Sequence, residues 1–300
     1  MKQQNDFDFD KNESFEFESS LLDELVSLDE SNLLCLTDFD NLFPATPVQA
    51  ERERTLLSSE DIQRVETIQN SYNNRIELAA RDGLPWNPSI HATTFLQHIN
   101  ARSVTAVRLL SFFKQIPEFN QLNVNDRVTL IKYNLMPLCI LNSTLSYNKE
   151  TDQVKEAECD VPFNASVLQS IHGEELYLQI KRIFESFARI ALHDQRIIQL
   201  ALIALILTKG FSTDTDTNEP MLNDGMAVYR AQSHYTELLW KYMEAVHGFE
   251  RATKIFNELI GQFMLWQKIH RQLRLSTEKN LATVDKNELL PIMKSLLCIN

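Results

Sequence analysis

Residues 108–132 read RLLSFFKQIPEFNQLNVNDRVTLIK, and the order of side chains in this stretch decides how the chain around it folds. Pro117 has no amide hydrogen and its ring crowds the preceding turn, so the helix that carries Arg108 to Lys114 stops there. Phe119 and Leu122 then plug the turn into an apolar core, and Asn125-Asp126 have the chemistry to cap a second helix. Two helices meeting across such a turn leave Lys114 and Lys132 flanking an apolar groove floored by Val128 and Ile131.

Outward from this pair, almost every long segment after Ser58 repeats its apolar residues with helical spacing. Ser58-Ser59-Glu60-Asp61 opens a helix that runs to about Ala80, and the Gly83-Leu84-Pro85-Trp86-Asn87-Pro88 run breaks it. Further helices are expected over about 89–116, 124–147, 165–190, 193–208, 225–247, 250–275 and 286–297, with a flexible loop over 209–224 and strand signals only near 145–163. Within 197–208, IIQLALIALILT is apolar around most of its circumference, so that helix belongs in a central layer between others. In 252–275 the apolar positions sweep roughly 260° of the helix, more than one core face requires. The body is all-α.

Composition removes several functions. The chain has only 6 glycines, none in a GxG or GxxxxGK pattern, so a phosphate-cradling nucleotide fold is not expected. Cys35, Cys139, Cys159 and Cys298 form no CxxC pair, which rules against a zinc module and a disulfide framework and favours reduced thiols. The apolar run from Leu200 to Leu207 is too short to span a bilayer, and an acidic N-terminus is unlike a secretory leader. Glu244-x-x-His247 is half of a di-iron motif with no second half, and no GxSxG or HExxH occurs, so no catalytic residues are expected.

The net charge of −12 is concentrated at one end. Residues 1–43 hold twelve acidic side chains against Lys2 and Lys11, with Phe7, Phe9, Phe15 and Phe17 interleaved among them. Such alternation keeps aromatic groups solvated and available to partners, so 1–50 is expected to be an acidic, Phe-rich disordered tail and 51–300 the folded body. Neither part offers the basic stripe that nucleic acid requires, so direct nucleic-acid binding is not expected.

The 108–132 stretch resembles the signature of the nuclear hormone receptor ligand-binding domain, in which an aromatic-Ala-Lys-x-x-Pro-Gly-Phe run is followed by Asp-Gln-x-x-Leu-Leu-Lys. Phe112, Lys114, Ile116, Pro117, Phe119, Leu122, Asp126, Val128, Leu130, Ile131 and Lys132 match it, whereas Phe113, Glu118 and Arg127 depart from it. The wording from Val128 to Tyr133 leans toward the thyroid-hormone and peroxisome-proliferator-activated branch. The resemblance covers about 58–300 and implies a three-layer antiparallel helical sandwich with a short β-turn region.

It further implies a nuclear transcription regulator, with cytoplasmic shuttling allowed, that binds a small lipophilic ligand, uses no other cofactor or metal and captures LxxLL helices of coregulators. The expected coregulator groove comprises Lys114, Val128, Ile131, Lys132, Ile292, Ser295 and Leu296, with Ser295 standing where the family's final helix has a glutamate. The expected ligand pocket comprises Phe95, His98, Ile99, Arg102 and Thr105 facing Met136, Cys139, Ile140 and Ser143, with Arg102 suited to a carboxylate. Leu265, Trp266 and Ile269 are the expected interface of a homodimer, or of a heterodimer with another nuclear receptor such as a retinoid-X type. The family's DNA reader needs eight cysteines in CxxC pairs, which this chain lacks. The alternative is a ligand-independent adaptor that heterodimerises with other receptors. Phe39, Leu42 and Phe43 have the FxxLF spacing of a coactivator box and are a candidate occupant of the groove.

Overall fold

Helix α1 (Ser59–Asn73) starts on a reciprocal cap: the Ser58 hydroxyl accepts from the Asp61 amide while the Asp61 carboxylate accepts from the Ser58 amide. It ends at Asn74, and α2 (Arg75–Arg81) follows at once, so the helix expected over 58–80 is two. The computed structural model describes residues 57–84, 94–155, 163–164, 167–211 and 219–297, all within one unit, Arg54–Asn300. The acidic tail and its Phe39-Leu42-Phe43 motif lie outside the described residues.

Helix α3 (Phe95–Phe113) is capped by Thr94 and Gln97 and is followed by the short α4 (Pro117–Gln121), with Pro117 at its first position, where a missing amide hydrogen costs nothing. Helix α5 (Val124–Ser143) is capped by Asn123, not by the Asn125-Asp126 pair expected; Asn125 supplies the amide that Asn123 holds. The buried Asp126 carboxylate instead accepts from the Asn223 and Asp224 amides and the Asn223 side chain, tying the start of α5 to the start of α9 (Gly225–His247).

A three-stranded antiparallel sheet of two-residue strands follows α5: β1 (Tyr147–Asn148), β2 (Gln153–Val154) and β3 (Phe163–Asn164), with Tyr147 opposite Val154 and Gln153 opposite Asn164. Asp152 in its turn has φ 52, a left-handed backbone held by hydroxyl donors from Tyr147 and Tyr177 and by the Lys181 ammonium. The segment expected as one helix over 165–190 divides into α6 (Val167–His172) and α7 (Glu174–His193) because Gly173, at φ 88, cannot continue a helix. Helices α8 (Gln195–Ile206) and α10 (Phe249–Leu281) complete the body, with α11 (Pro291–Leu296) last.

The helices stack in three layers. Helices α1 and α3 form one outer layer, α5, α8 and α9 the middle, and α7 and α10 the other outer layer. Helix α8 packs on α1, α5, α7 and α9, and Ile197, Ile198, Leu200, Leu202, Ile203 and Ile206 are all buried in it. Each such side chain contributes roughly 1.5–3 kcal/mol on leaving water, which is why a helix apolar on every side occupies the centre. The departure at Glu118 has a local cause: its carboxylate accepts from the Arg64 guanidinium and the Tyr235 hydroxyl, joining α1, α4 and α9. Phe113, fully buried, packs its ring against Phe112 and Phe119.

Candidate functional site

The period of α3 places Phe95, His98, Ile99 and Arg102 along one face, with Thr105 a further turn on. His98 and Ile99 are buried, while Phe95, Arg102 and Thr105 keep partial exposure. On α5, Met136, Cys139 and Ile140 are buried, and half-buried Ser143 donates its hydroxyl to the Cys139 carbonyl at 3.0 Å. The Cys139 thiol is close enough to influence the Arg102 charge.

Arg102 Nη2 lies 3.2 Å from His98 Nε2. A guanidinium only donates, so His98 Nε2 accepts and the ring proton resides on Nδ1. Two further imidazoles converge on Arg102, from elements that periodicity did not connect with α3: His172 at the end of α6 and His270 on α10. His172 Nδ1 is 2.9 Å from the Ser276 hydroxyl, and its buried Nε2 has no hydrogen-bond partner. The His270 ring rests against Trp266 with centroids 5.6 Å apart. Burial, reinforced by the Arg102 charge, drives His98 down to about 2, His270 to about 3 and His172 to about 4, so all three are neutral at pH 7. Arg102 is itself pulled down to about 10 by burial. A separate cleft of about 300 Å³ opens between Phe95, Ile171 and Val284, and none of the four cluster side chains lines it.

The predicted groove residues lie on three elements. Lys114 closes α3, and its ammonium is 2.8 Å from Asp82 Oδ2, which also accepts from the Ser111 hydroxyl. On α5, Val128 is 56% exposed, Ile131 packs against the core, and the Lys132 ammonium sits 5.9 Å from the Tyr133 ring centroid. Helix α11 packs against α3 and α5. Met293 and Leu296 point inward, Ile292 packs at the core margin, and Ser295 is exposed. Asn100, between His98 and Arg102 on α3, clasps the approach to α11: its amide donates to the Glu288 carbonyl and accepts from the Leu290 amide, both at 2.9 Å. No sequence motif signals this clasp, whose partners are nearly two hundred residues apart.

On α10 the expected interface residues are displaced inward. Trp266 and Ile269 are 0% and 2% exposed and Leu265 packs against the core, whereas Ile260 and Met264 are 42% and 50% exposed. The broad apolar arc arises because α7 and α9 both pack on α10 and bury two of its sectors. Among the described residues, no group of His, Cys, Asp or Glu is placed to hold a metal ion, and no helix is long and apolar enough to cross a membrane.

No known protein-family profile matches the chain. It is similar to nuclear hormone receptor family member nhr-8 of Caenorhabditis elegans, with 20% identity over 246 residues, covering 76% of this chain and 42% of that protein. It is also similar to the mineralocorticoid receptor of Oncorhynchus mykiss, with 27% identity over 103 residues, covering 34% of this chain and 29% of that receptor. The chain therefore spans less than half the length of the curated relatives it matches. Both similarities, set beside an all-α body in three layers, point to the nuclear receptor superfamily.

Proposed function

We propose that this chain is a nuclear-receptor-type transcription regulator, acting in the nucleus without catalysis, whose interior takes a small lipophilic ligand and whose surface captures LxxLL helices of coregulators. The observation that carries this reading is the polar cluster on α3: Arg102 lies 3.2 Å from His98, and His172 and His270 are near enough to feel its charge. The clasp at Asn100 favours a second reading, a ligand-independent adaptor, since the protein's own hydrogen bonds seat α11 on the body.

In the first reading Lys114 donates to the carbonyls that end the peptide helix, while Ser295 offers the opposite end only a neutral hydroxyl. Titration of an LxxLL peptide tests it: Lys114→Ala weakens binding by about 1.5–3 kcal/mol, and Ser295→Glu tightens it. Titration curves indifferent to both changes would remove the groove from this surface. Mass spectrometry of lipids retained by the purified chain separates sensor from adaptor. Pairing with a second receptor uses the exposed sector of α10 around Ile260 and Met264.

A further inference from the structure

We propose that Asp82 is a specificity-determining residue of the coregulator groove, selecting LxxLL helices that carry a cationic side chain in the turn after the box. The inference rests on the reading that the groove takes such helices, and it names the class of partner.

Asp82 is set in place from three directions. Helix α2 ends on it, and the turn beyond is closed by the Gly83 amide donating to the Ala80 carbonyl at 3.1 Å and the Leu84 amide to the Ala79 carbonyl at 2.9 Å. Gly83, at φ 98, supplies the left-handed residue that this kind of helix stop requires. From α3, the buried Ser111 hydroxyl donates to Asp82 Oδ2 at 2.8 Å, and the Lys114 ammonium reaches the same oxygen at 2.8 Å. Among the described residues none donates to Oδ1. The Asp82 and Lys114 side chains are 40% and 49% exposed, so a docking partner meets both. Hydrogen bonds from Lys114 and then Ser111 hold the Asp82 carboxyl below the ordinary carboxylate range, which keeps it ionised at pH 7.

The charge that such a partner must bring follows from this arrangement. An ammonium has three donors, so Lys114 can keep Asp82 and still donate to the carbonyls that end a peptide helix. Those carbonyls are equivalent to roughly half a negative charge. Lys114 and Asp82 cancel each other, so the junction with a docked helix is left about half a unit negative, and Oδ1 is the acceptor still uncommitted. An Arg or Lys of the peptide completes it, whereas a peptide carboxylate meets Asp82 as a like charge. Glu77 and Arg81 leave the sum unchanged, because they line one cleft with Thr67 and Gln115 and are of opposite sign. At the far end of the groove the exposed Ser295 is neutral, so discrimination by charge falls to the lysine end.

The test titrates the full chain with three synthetic LxxLL peptides that differ only in the two residues after the box, both Arg, both Ala or both Glu. The Arg peptide is expected to bind about 2- to 5-fold tighter than the Ala peptide, the range of an exposed ion pair, and the Glu peptide weaker by a similar factor. Asp82→Asn releases Lys114 for all three alike and is expected to remove the spread. A spread that survives the substitution belongs to the peptide's own dipole and to the chain's net charge of −12, and overturns the inference. On the unaltered chain, raising the salt from about 0.1 M to about 1 M shortens the screening length from about 10 Å to about 3 Å and is expected to collapse the same spread, so a salt-independent order also overturns it. Equal affinities for the three peptides remove Asp82 from specificity and leave the groove intact. Binding of none overturns the groove reading itself.

Discussion

Lowering the pH from 7.5 to 5.5 should weaken the folded state through the interior histidines. His98 and His270 are held neutral far below the usual imidazole range, first by burial and then by Arg102, whereas the unfolded chain protonates them near 6.5. A depressed histidine contributes its full stability above the unfolded pKa and loses it as the pH falls toward the folded one, because only the unfolded state then takes up the proton. One unit below 6.5 the loss is about 1.4 kcal/mol per site, hence about 3 kcal/mol for the two. His172 shifts in the same direction and adds to the loss. Against a domain stability of about 5–15 kcal/mol this is a large fraction. The depressed carboxyls of Asp61, Asp82, Asp152 and Asp194 are ionised at both pH values, and their contribution is lost only at lower pH. Glu219, raised by burial, acts in the opposite direction. Urea unfolding at the two pH values measures the sum, and the ring resonances of His98 and His270 report it site by site. A stability unchanged within about 0.5 kcal/mol, or rings that titrate near 6.5, would refute the buried neutral cluster.

Asn100→Ala removes both hydrogen bonds of the clasp, and amide exchange across 291–296 should speed up by roughly 5- to 30-fold, corresponding to about 1–2 kcal/mol; unchanged exchange would mean that packing alone seats α11. Asp82→Asn frees the Lys114 ammonium from its ion pair and should tighten an LxxLL peptide by up to about 1 kcal/mol, the size of an exposed salt bridge, as read by titration. Trp266→Ala should cost about 3–5 kcal/mol of folding stability, as for other buried aromatics. Met264→Glu should instead leave the melting curve intact and change only sedimentation, the reverse pattern placing the interface elsewhere.

The layered fold was legible because its cause is local: IIQLALIALILT is apolar on every side, and such a segment has nowhere to go but the middle. The turn from Lys114 to Leu122 was legible for the same reason. Helix breaks were less so. Gly173 was a visible signal that periodicity across it concealed, and Asn74 gave none. In the candidate site, the nearness of His98 and Arg102 was legible because one helix carries them at a spacing of four. His172 and His270 escaped because they arrive from α6 and α10, and nothing near either residue records what it meets. Trp266 and Ile269 were misplaced for a related reason: a wide apolar arc shows that a helix has several neighbours, but not whether they belong to the same chain.

The Asp126 carboxylate, which gathers the amides of Asn223 and Asp224 and the side chain of Asn223, bears on the order in which the body assembles. It links residues 97 and 98 positions apart, and closing so long a loop with nothing formed between would cost about 4 kcal/mol in the length-dependent part alone. Charged acceptors recover such an entropy only when the intervening chain is already short-circuited by structure. The joint between α5 and α9 is therefore expected to form late, after α8 has drawn its neighbours together, so that the helix carrying Val128, Ile131 and Lys132 would gain its final anchor only when the rest of the middle layer is in place.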